Sequence, residues 1–191
     1  MKDKLNQRSK QFSLVLNDSG ADVFKNSRYI VTTIRCCGLL SIHFIACIKH
    51  DKDTDEQTNQ VKTPHYHLVL SVYNTTRLST MIKLLVDLFH CNENQISIEK
   101  CTSLEMATRY LIHLDDFDKV KYRQEDIETN DYTKLKECLE YVDKIKDIKD
   151  LITICQQFPK LTDLMIHIGY DNYKKYRLVI NDIRKELNCI Y

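Results

Sequence analysis

The stretch Pro64-His65-Tyr66-His67-Leu68-Val69-Leu70-Ser71-Val72-Tyr73 decides how the rest of the chain is read. It is rich in β-branched, aromatic and leucine side chains and reads as a strand. Successive strand side chains alternate between faces, so His65 and His67 point the same way. A rise of about 3.3 Å per residue puts their Cα atoms about 6–7 Å apart, close enough for two imidazoles to share a metal ion.

The segment just upstream, Leu40 to Lys49, is strongly apolar and β-rich, and ends in His50-Asp51-Lys52-Asp53. Asp51 to Pro64 is polar and reads as a long hairpin loop. An antiparallel hairpin brings the end of one strand beside the start of the next. Pairing of His50 with His65 or His67 would then gather three imidazoles, with Asp53 as a carboxylate, at one corner. The competing reading is a His-x-His of no chemical consequence beside a solvated turn.

Working outward, Gln11 to Leu16 reads as a first strand and Asn17 to Gly20 as a turn. Asp22 to Arg35 is expected as a helix carrying Val23, Phe24, Val31 and Ile34. Leu78, Met81, Ile82, Leu85, Leu88 and Phe89 recur at helical spacing, with N-cap candidates in Asn74 to Thr76. Gln95 to Lys100 alternates as a fourth strand. Thr102-Ser103-Leu104-Glu105 matches a capping box for a helix through Leu114. The order β-α-β-β-α-β predicts an α+β, ferredoxin-like (RRM-like) antiparallel sheet with flanking helices, one face of it open to a ligand.

The pattern changes near Asp126, after which no strand is expected. Leu135, Cys138, Leu139, Val142 and Ile145 mark one amphipathic helix. Leu151 to Phe158, Thr162 to Ile168 and Tyr173 to Leu187 are expected as three more, punctuated by Pro159 and Gly169. The division predicted is a domain over residues 1–125 and a small helical domain over 126–191, suited to self-association or DNA binding. Thr162 to Gly169 with the helix after it loosely fits a helix-turn-helix.

The 191 residues suffice for a real core, and only 3 Gly and 2 Pro argue against long linkers. A net charge of +1 excludes a protein that coats nucleic acid through a large basic surplus, so any positive field must be local. No apolar run is long enough to span a membrane, and Met1 to Lys10 lacks a signal-peptide core, so a cytoplasmic chain is expected. Eight cysteines without a Cys-x-x-Cys pair read as reduced core residues rather than a zinc site.

The last chemical candidate is Tyr110, in Arg109-Tyr110-Leu111-Ile112-His113 on the expected fourth-strand helix, with His113 on the same helical face. One of eleven tyrosines, it has a bland alternative as a packing aromatic.

His50-Asp51-Lys52-Asp53, then Pro64-His65-Tyr66-His67-Leu68-Val69-Leu70, then Tyr110-Leu111-Ile112-His113 occur in an order that resembles the HUH endonucleases. The chain is most similar there to the RepB-like initiators of small rolling-circle plasmids of Gram-positive bacteria, over roughly residues 8–125. The resemblance implies that His65 and His67 are the paired metal-binding histidines and that His50 and Asp53 complete the site. It implies Mn²⁺ or Mg²⁺ as the cofactor and Tyr110 as the nucleophile. The partner it implies is single-stranded or hairpin origin DNA, with a host polymerase, a helicase and self-association to follow. Tyr66 stands at a position usually held by a large hydrophobe. Leu114, followed by Asp115 and Asp116, replaces a family glutamate, which leaves His113 and Asp115 as accessory candidates.

Lys52, Lys62, Arg109 and Lys119 are the main expected phosphate contacts, joined by Gln7 to Lys10, Lys49, Lys121 and Arg123; Tyr66 and Tyr73 are expected to stack on bases. Three other readings stand beside this one. They are a non-catalytic nucleic-acid-binding module on the same sheet, a relaxase or transposase using the same chemistry, and a metal-dependent hydrolase that does not use Tyr110.

Overall fold

The structure, a computed structural model, describes residues 5–18, 22–55, 58, 60–116, 118–141 and 148–187. The strands are β1 (Arg8–Asn17), β2 (Ile42–His50), β3 (His65–Arg77), β4 (Ile96–Lys100) and a short β5 (Glu128–Thr129). They form one antiparallel sheet in the order β4-β1-β3-β2-β5. Helix α1 (Ser27–Cys36) joins β1 to β2, and α2 (Leu78–Phe89) joins β3 to β4. The fold is α+β, with the β-α-β-β-α-β arrangement expected from the sequence.

The period of two along the strands sorts their residues between faces. Phe12, Leu14, Leu16, Ile45, Cys47, Tyr66, Leu68 and Leu70 meet Ile30 and Ile34 of α1 and Met81, Leu85 and Phe89 of α2 in the main core. Asn26 caps α1 by accepting the Tyr29 N–H at 2.8 Å. On the other face, Phe44, Ala46, Ile48 and Val69 pack under α3 (Leu104–Tyr110), α4 (Tyr132–Leu139) and the segment between them. That cover stops at the β2–β3 half. On the same face of β1 and β4, Ser13 and Val15 are half-buried and Ser97 and Glu99 exposed, which leaves a bare strip of sheet among the described residues.

Several boundaries differ from expectation, each for a visible reason. Helix α1 starts at Ser27, and Val23 and Phe24 precede it in a turn with Asp22 and Lys25 at positive φ. Strand β3 runs on to Arg77 because Arg8 and Ser9 of β1 pair with Arg77 and Thr76, so Asn74 to Thr76 are strand and Arg77 is the N-cap of α2. Helix α3, capped by Ser103, ends at Tyr110 rather than Leu114. The chain then turns, with the N–H of His113 on Tyr110 O at 3.0 Å and that of Leu114 on Arg109 O at 3.0 Å, and His113 at φ 52°. His113 is therefore not on the helical face of Tyr110. A strand does follow Asp126: β5 lies on β2, held by Asn130 Oδ1 accepting Ile45 N–H at 2.8 Å and Thr129 Oγ1 donating to Ile45 O at 2.7 Å.

The chain divides into two compact units, residues 1–141 and 142–191. Residues 126–141 sit with the sheet because Ile127, Leu135, Cys138 and Leu139 belong to its second core. Val142 and Ile145, expected on the helix with Leu135, lie outside the described residues, as does Gly20. In the second unit, α5 (Ile148–Gln157), α6 (Leu161–Ile168) and α7 (Tyr170–Glu186) enclose Leu151, Cys155, Leu164 and Ile180. The buried Arg184 donates to the carbonyls of Phe158 and Pro159 and so ties α7 to the α5–α6 loop. Most of the described cysteines are buried. No described helix is long and apolar enough to cross a membrane.

Candidate active site

In the β2–β3 ladder His50 stands directly opposite His65, and Ile48 opposite His67. This register, together with strand alternation, puts all three imidazoles on the α3 face at one end of the sheet. Asp53 joins them from the loop after β2, where Lys62 N–H donates to Asp53 O at 2.7 Å and a Thr54–Val61 bridge closes the neck of the loop. One ligand atom from each of His50, Asp53, His65 and His67 lies within 4.8 Å of all the others.

The hydrogen bonds behind these side chains fix what they present. A carbonyl can only accept, so a ring nitrogen bonded to one carries the proton. His50 Nε2 lies 2.7 Å from Leu111 O, and His65 Nδ1 lies 2.9 Å from Thr63 O. In the neutral form of either ring the opposite nitrogen is a lone pair aimed inward. His50 Nδ1 meets Asp53 Oδ2 at 3.0 Å, while His65 Nε2 meets His67 Nε2 at 3.1 Å and Asp53 Oδ2 at 3.7 Å. Acceptors pressed together like this, with His50 and His65 braced from behind by carbonyls, fit a divalent cation.

The protonation states agree with that fit. Burial, then the neighbouring His50 and His65, push His67 down to about 3. Burial also lowers His50, against the pull of the Leu111 carbonyl and Asp53. Burial alone would raise Asp53, but His50 and the Tyr122 hydroxyl outweigh it and hold the carboxyl below its usual range. His50 and His67 are thus neutral and Asp53 ionised at neutral pH, as metal ligands must be.

Tyr110, at the C-terminal end of α3, is 40% exposed, and its ring centre is 5.7 Å from that of His67. Its hydroxyl accepts from Lys119 Nζ at 3.0 Å, and Lys119 also pairs with Asp116 at 2.9 Å. Tyr110, His65, His67, Asp53, Lys62 and Lys119 all line one cleft of about 690 Å³, which reaches Val15 and Asn17 on the bare strip of β1. The cleft thus brings together a phenol, an ammonium and three of the four cluster residues.

Residues 4–136 match the sequence model of the plasmid replication protein, origin binding domain. The chain belongs to this family. Every residue of the cluster, Tyr110 and Lys119 fall inside the matched span. This origin-binding domain is 29% identical over 136 residues to a replication protein of Staphylococcus aureus, an overlap covering 62% of this chain and 65% of that protein. It is 31% identical over 110 residues to the replication protein RepB of Lactiplantibacillus plantarum, covering 56% of this chain and 48% of that one. The match thus spans less than two thirds of either relative.

The remaining expected site residues have varied placements. His113 is buried with Nδ1 2.8 Å from Val120 O, and its ring centre is 4.6 Å from that of His50 and 5.1 Å from that of Tyr110. It backs the cluster, while Lys119 is the residue at the Tyr110 oxygen. Asp115 is held by Arg109 through two bonds of 2.7 and 2.5 Å. The same guanidinium donates to Leu139 O and Tyr141 O, so Arg109 braces the end of α3 instead of facing the cleft. Lys121 is bonded to the carbonyls of His113 and Asp116, and Arg123 is paired with Asp126. Tyr66 is fully buried, donating to Lys25 O at 3.0 Å, and has no face for a base; Tyr73 is 61% exposed. Lys52 is exposed beside the cluster.

One participant had no assigned role in the sequence. Tyr122 donates to Asp53 Oδ1 at 3.0 Å and stacks on His50, with centroids 4.2 Å apart and 5° between planes. Burial pushes its phenol up to about 12, so it stays protonated at neutral pH. No periodic signal connects Tyr122 to Asp53, because the chain between Tyr110 and Tyr122 follows neither helix nor strand spacing.

Proposed function

We propose that this origin-binding domain nicks a single strand of plasmid origin DNA through Tyr110, by HUH-type chemistry, and so starts rolling-circle replication. The observation that carries the reading is the convergence of four ligand atoms at the wall of a cleft that Asp53, His65 and His67 share with an accessible tyrosine. The Tyr110 oxygen attacks the scissile phosphorus, and the bond from phosphorus to the 3′ oxygen breaks. The phenol gives up its proton and the leaving 3′ oxygen takes one up. The products are a 5′-phosphotyrosine and a free 3′-hydroxyl that a host polymerase can extend. Because the phosphodiester energy is kept, a later 3′-hydroxyl can reverse the step and close a circle.

The Tyr110 hydroxyl, then Asp116, hold the Lys119 ammonium above its ordinary range. A cation 3.0 Å from the phenol oxygen stabilises negative charge there as the proton leaves. His50, Asp53, His65 and His67 would hold Mn²⁺ or Mg²⁺, which neutralises phosphate charge and polarises phosphorus. Lys62 offers a phosphate contact at the rim, and the bare strip of β1 and β4 a floor for unpaired bases. In this reading the helices of residues 142–191 serve self-association.

The test is to incubate the protein with labelled single-stranded origin DNA and Mn²⁺ and run a denaturing protein gel. Wild type should give a labelled covalent band that chelator abolishes and that Tyr110→Phe lacks. Cleavage without an adduct, or an adduct on Tyr110→Phe, would falsify the assignment. Origin binding without cleavage by any protein would leave a DNA-binding module.

A further inference from the structure

We propose that Tyr122 is a positioning residue that restricts Asp53 to a single metal-binding oxygen and thereby biases the site toward small divalent ions. The inference rests on the metal-site reading above. The Lys52 N–H lies 2.9 Å from the Tyr122 oxygen, and an N–H can only donate, so the phenol oxygen accepts it. The phenol's own proton is then directed to Asp53 Oδ1, 3.0 Å away, and an ionised carboxylate can only accept it. Oδ1 is therefore engaged, and Oδ2 is the oxygen left facing His50 Nδ1 at 3.0 Å and His65 Nε2 at 3.7 Å.

The ring does a second job. Stacked at 5° on His50, it fixes the plane of that imidazole while Leu111 O fixes its tautomer. Tyr122 is itself held by burial in the second core and by the Lys52 backbone, so the constraint reaches two of the four ligands at once.

The chemical consequence is selectivity. Ca²⁺ favours six to eight oxygens and readily takes both oxygens of a carboxylate, whereas Mg²⁺ demands a near-ideal octahedral set at short distance. A site with three imidazole nitrogens and one carboxylate oxygen suits Mn²⁺ and disfavours Ca²⁺. Releasing Oδ1 would loosen Asp53 and permit two-oxygen binding.

The experiment measures Mn²⁺ and Ca²⁺ affinities of the full chain by calorimetry, without DNA, for wild type, Tyr122→Phe and the His65→Ala/His67→Ala double variant. Tyr122→Phe keeps the stacked ring and removes only the hydroxyl, and circular dichroism checks its fold. The expected result is Mn²⁺ binding weakened about 10- to 100-fold in Tyr122→Phe, with Ca²⁺ binding unchanged or tighter. Equal weakening of both ions would make Tyr122 a packing residue and overturn the proposal. Unchanged Mn²⁺ binding in Tyr122→Phe, with loss in the double variant, would overturn it while the metal-site reading stands. Absence of Mn²⁺ binding by wild type would overturn both.

Discussion

Two stretches meet at the candidate site and are held in different ways. The β2–β3 end, with His50 opposite His65, is held by ladder hydrogen bonds that do not depend on side-chain identity. Among its described residues, the stretch from Tyr110 to Tyr122 has no ladder. It turns through His113 at φ 52° and is pinned by side chains on carbonyls: Arg109 on Leu139 and Tyr141, Lys121 on His113 and Asp116, and His113 on Val120. The first stretch should tolerate loss of its functional side chains without moving. The second should not, because its side chains are what place Tyr110 and Tyr122.

The largest contrast should come from neighbours on β3. His67 faces the cluster, and Leu68 is fully buried in the α1–α2 core. The His65→Ala/His67→Ala variant should lose adduct formation by about a thousandfold or more, matching loss of a stabilisation of several kcal/mol. Its urea midpoint should scarcely move, because the ladder is backbone. Leu68→Ala should do the reverse. Its unfolding free energy should drop by about 2–5 kcal/mol through lost burial and a residual cavity, while Mn²⁺ binding survives wherever the protein is folded. A folded Leu68→Ala protein that cannot bind Mn²⁺ would mean that ligand geometry depends on core packing, and would erase the contrast.

Next in size is Arg109→Ala. It removes the bidentate Asp115 pair and two bonds to the carbonyls of Leu139 and Tyr141. A loss of about 2 kcal/mol in urea unfolding is expected, given that hydrogen bonds to charged groups contribute about 1.5–3 kcal/mol each and water replaces some of them. Adduct formation should fall about tenfold, the cost of a tyrosine whose helix end has lost its brace. Normal adduct yield at reduced stability would show that the turn holds Tyr110 without Arg109.

The same contrast explains what could be read in advance. A period of two assigned each β3 residue to its face, and the hairpin assumption brought His50 to His65, so the cluster followed from strand physics alone. Past Tyr110 that logic ran out. Extending α3 through Leu114 made His113 a helical neighbour of Tyr110, whereas the turn buries it and brings Lys119 to the phenol instead. Arg109 and Tyr66 carried residue types suited to DNA contact, but residue type does not reveal burial or a carbonyl partner. The short strand β5 went unseen because two residues carry no periodicity and its attachment depends on Thr129 and Asn130 reaching Ile45.

The smallest expected effect tests the cleft rim, where neither mode of construction applies. Lys62 lines the cleft and is exposed, so its replacement removes charge without disturbing either stretch. Lys62→Ala should weaken binding to single-stranded origin DNA only a few-fold, alike for origin and unrelated strands, because a phosphate contact carries no sequence information. The slope of log affinity against log salt should become shallower by about one. Adduct formation at saturating DNA should hold, since the bond from Lys62 N–H to Asp53 O is backbone and survives the substitution. An unchanged salt slope would move the DNA path off this rim and toward Lys52, on the opposite strand end of the same loop.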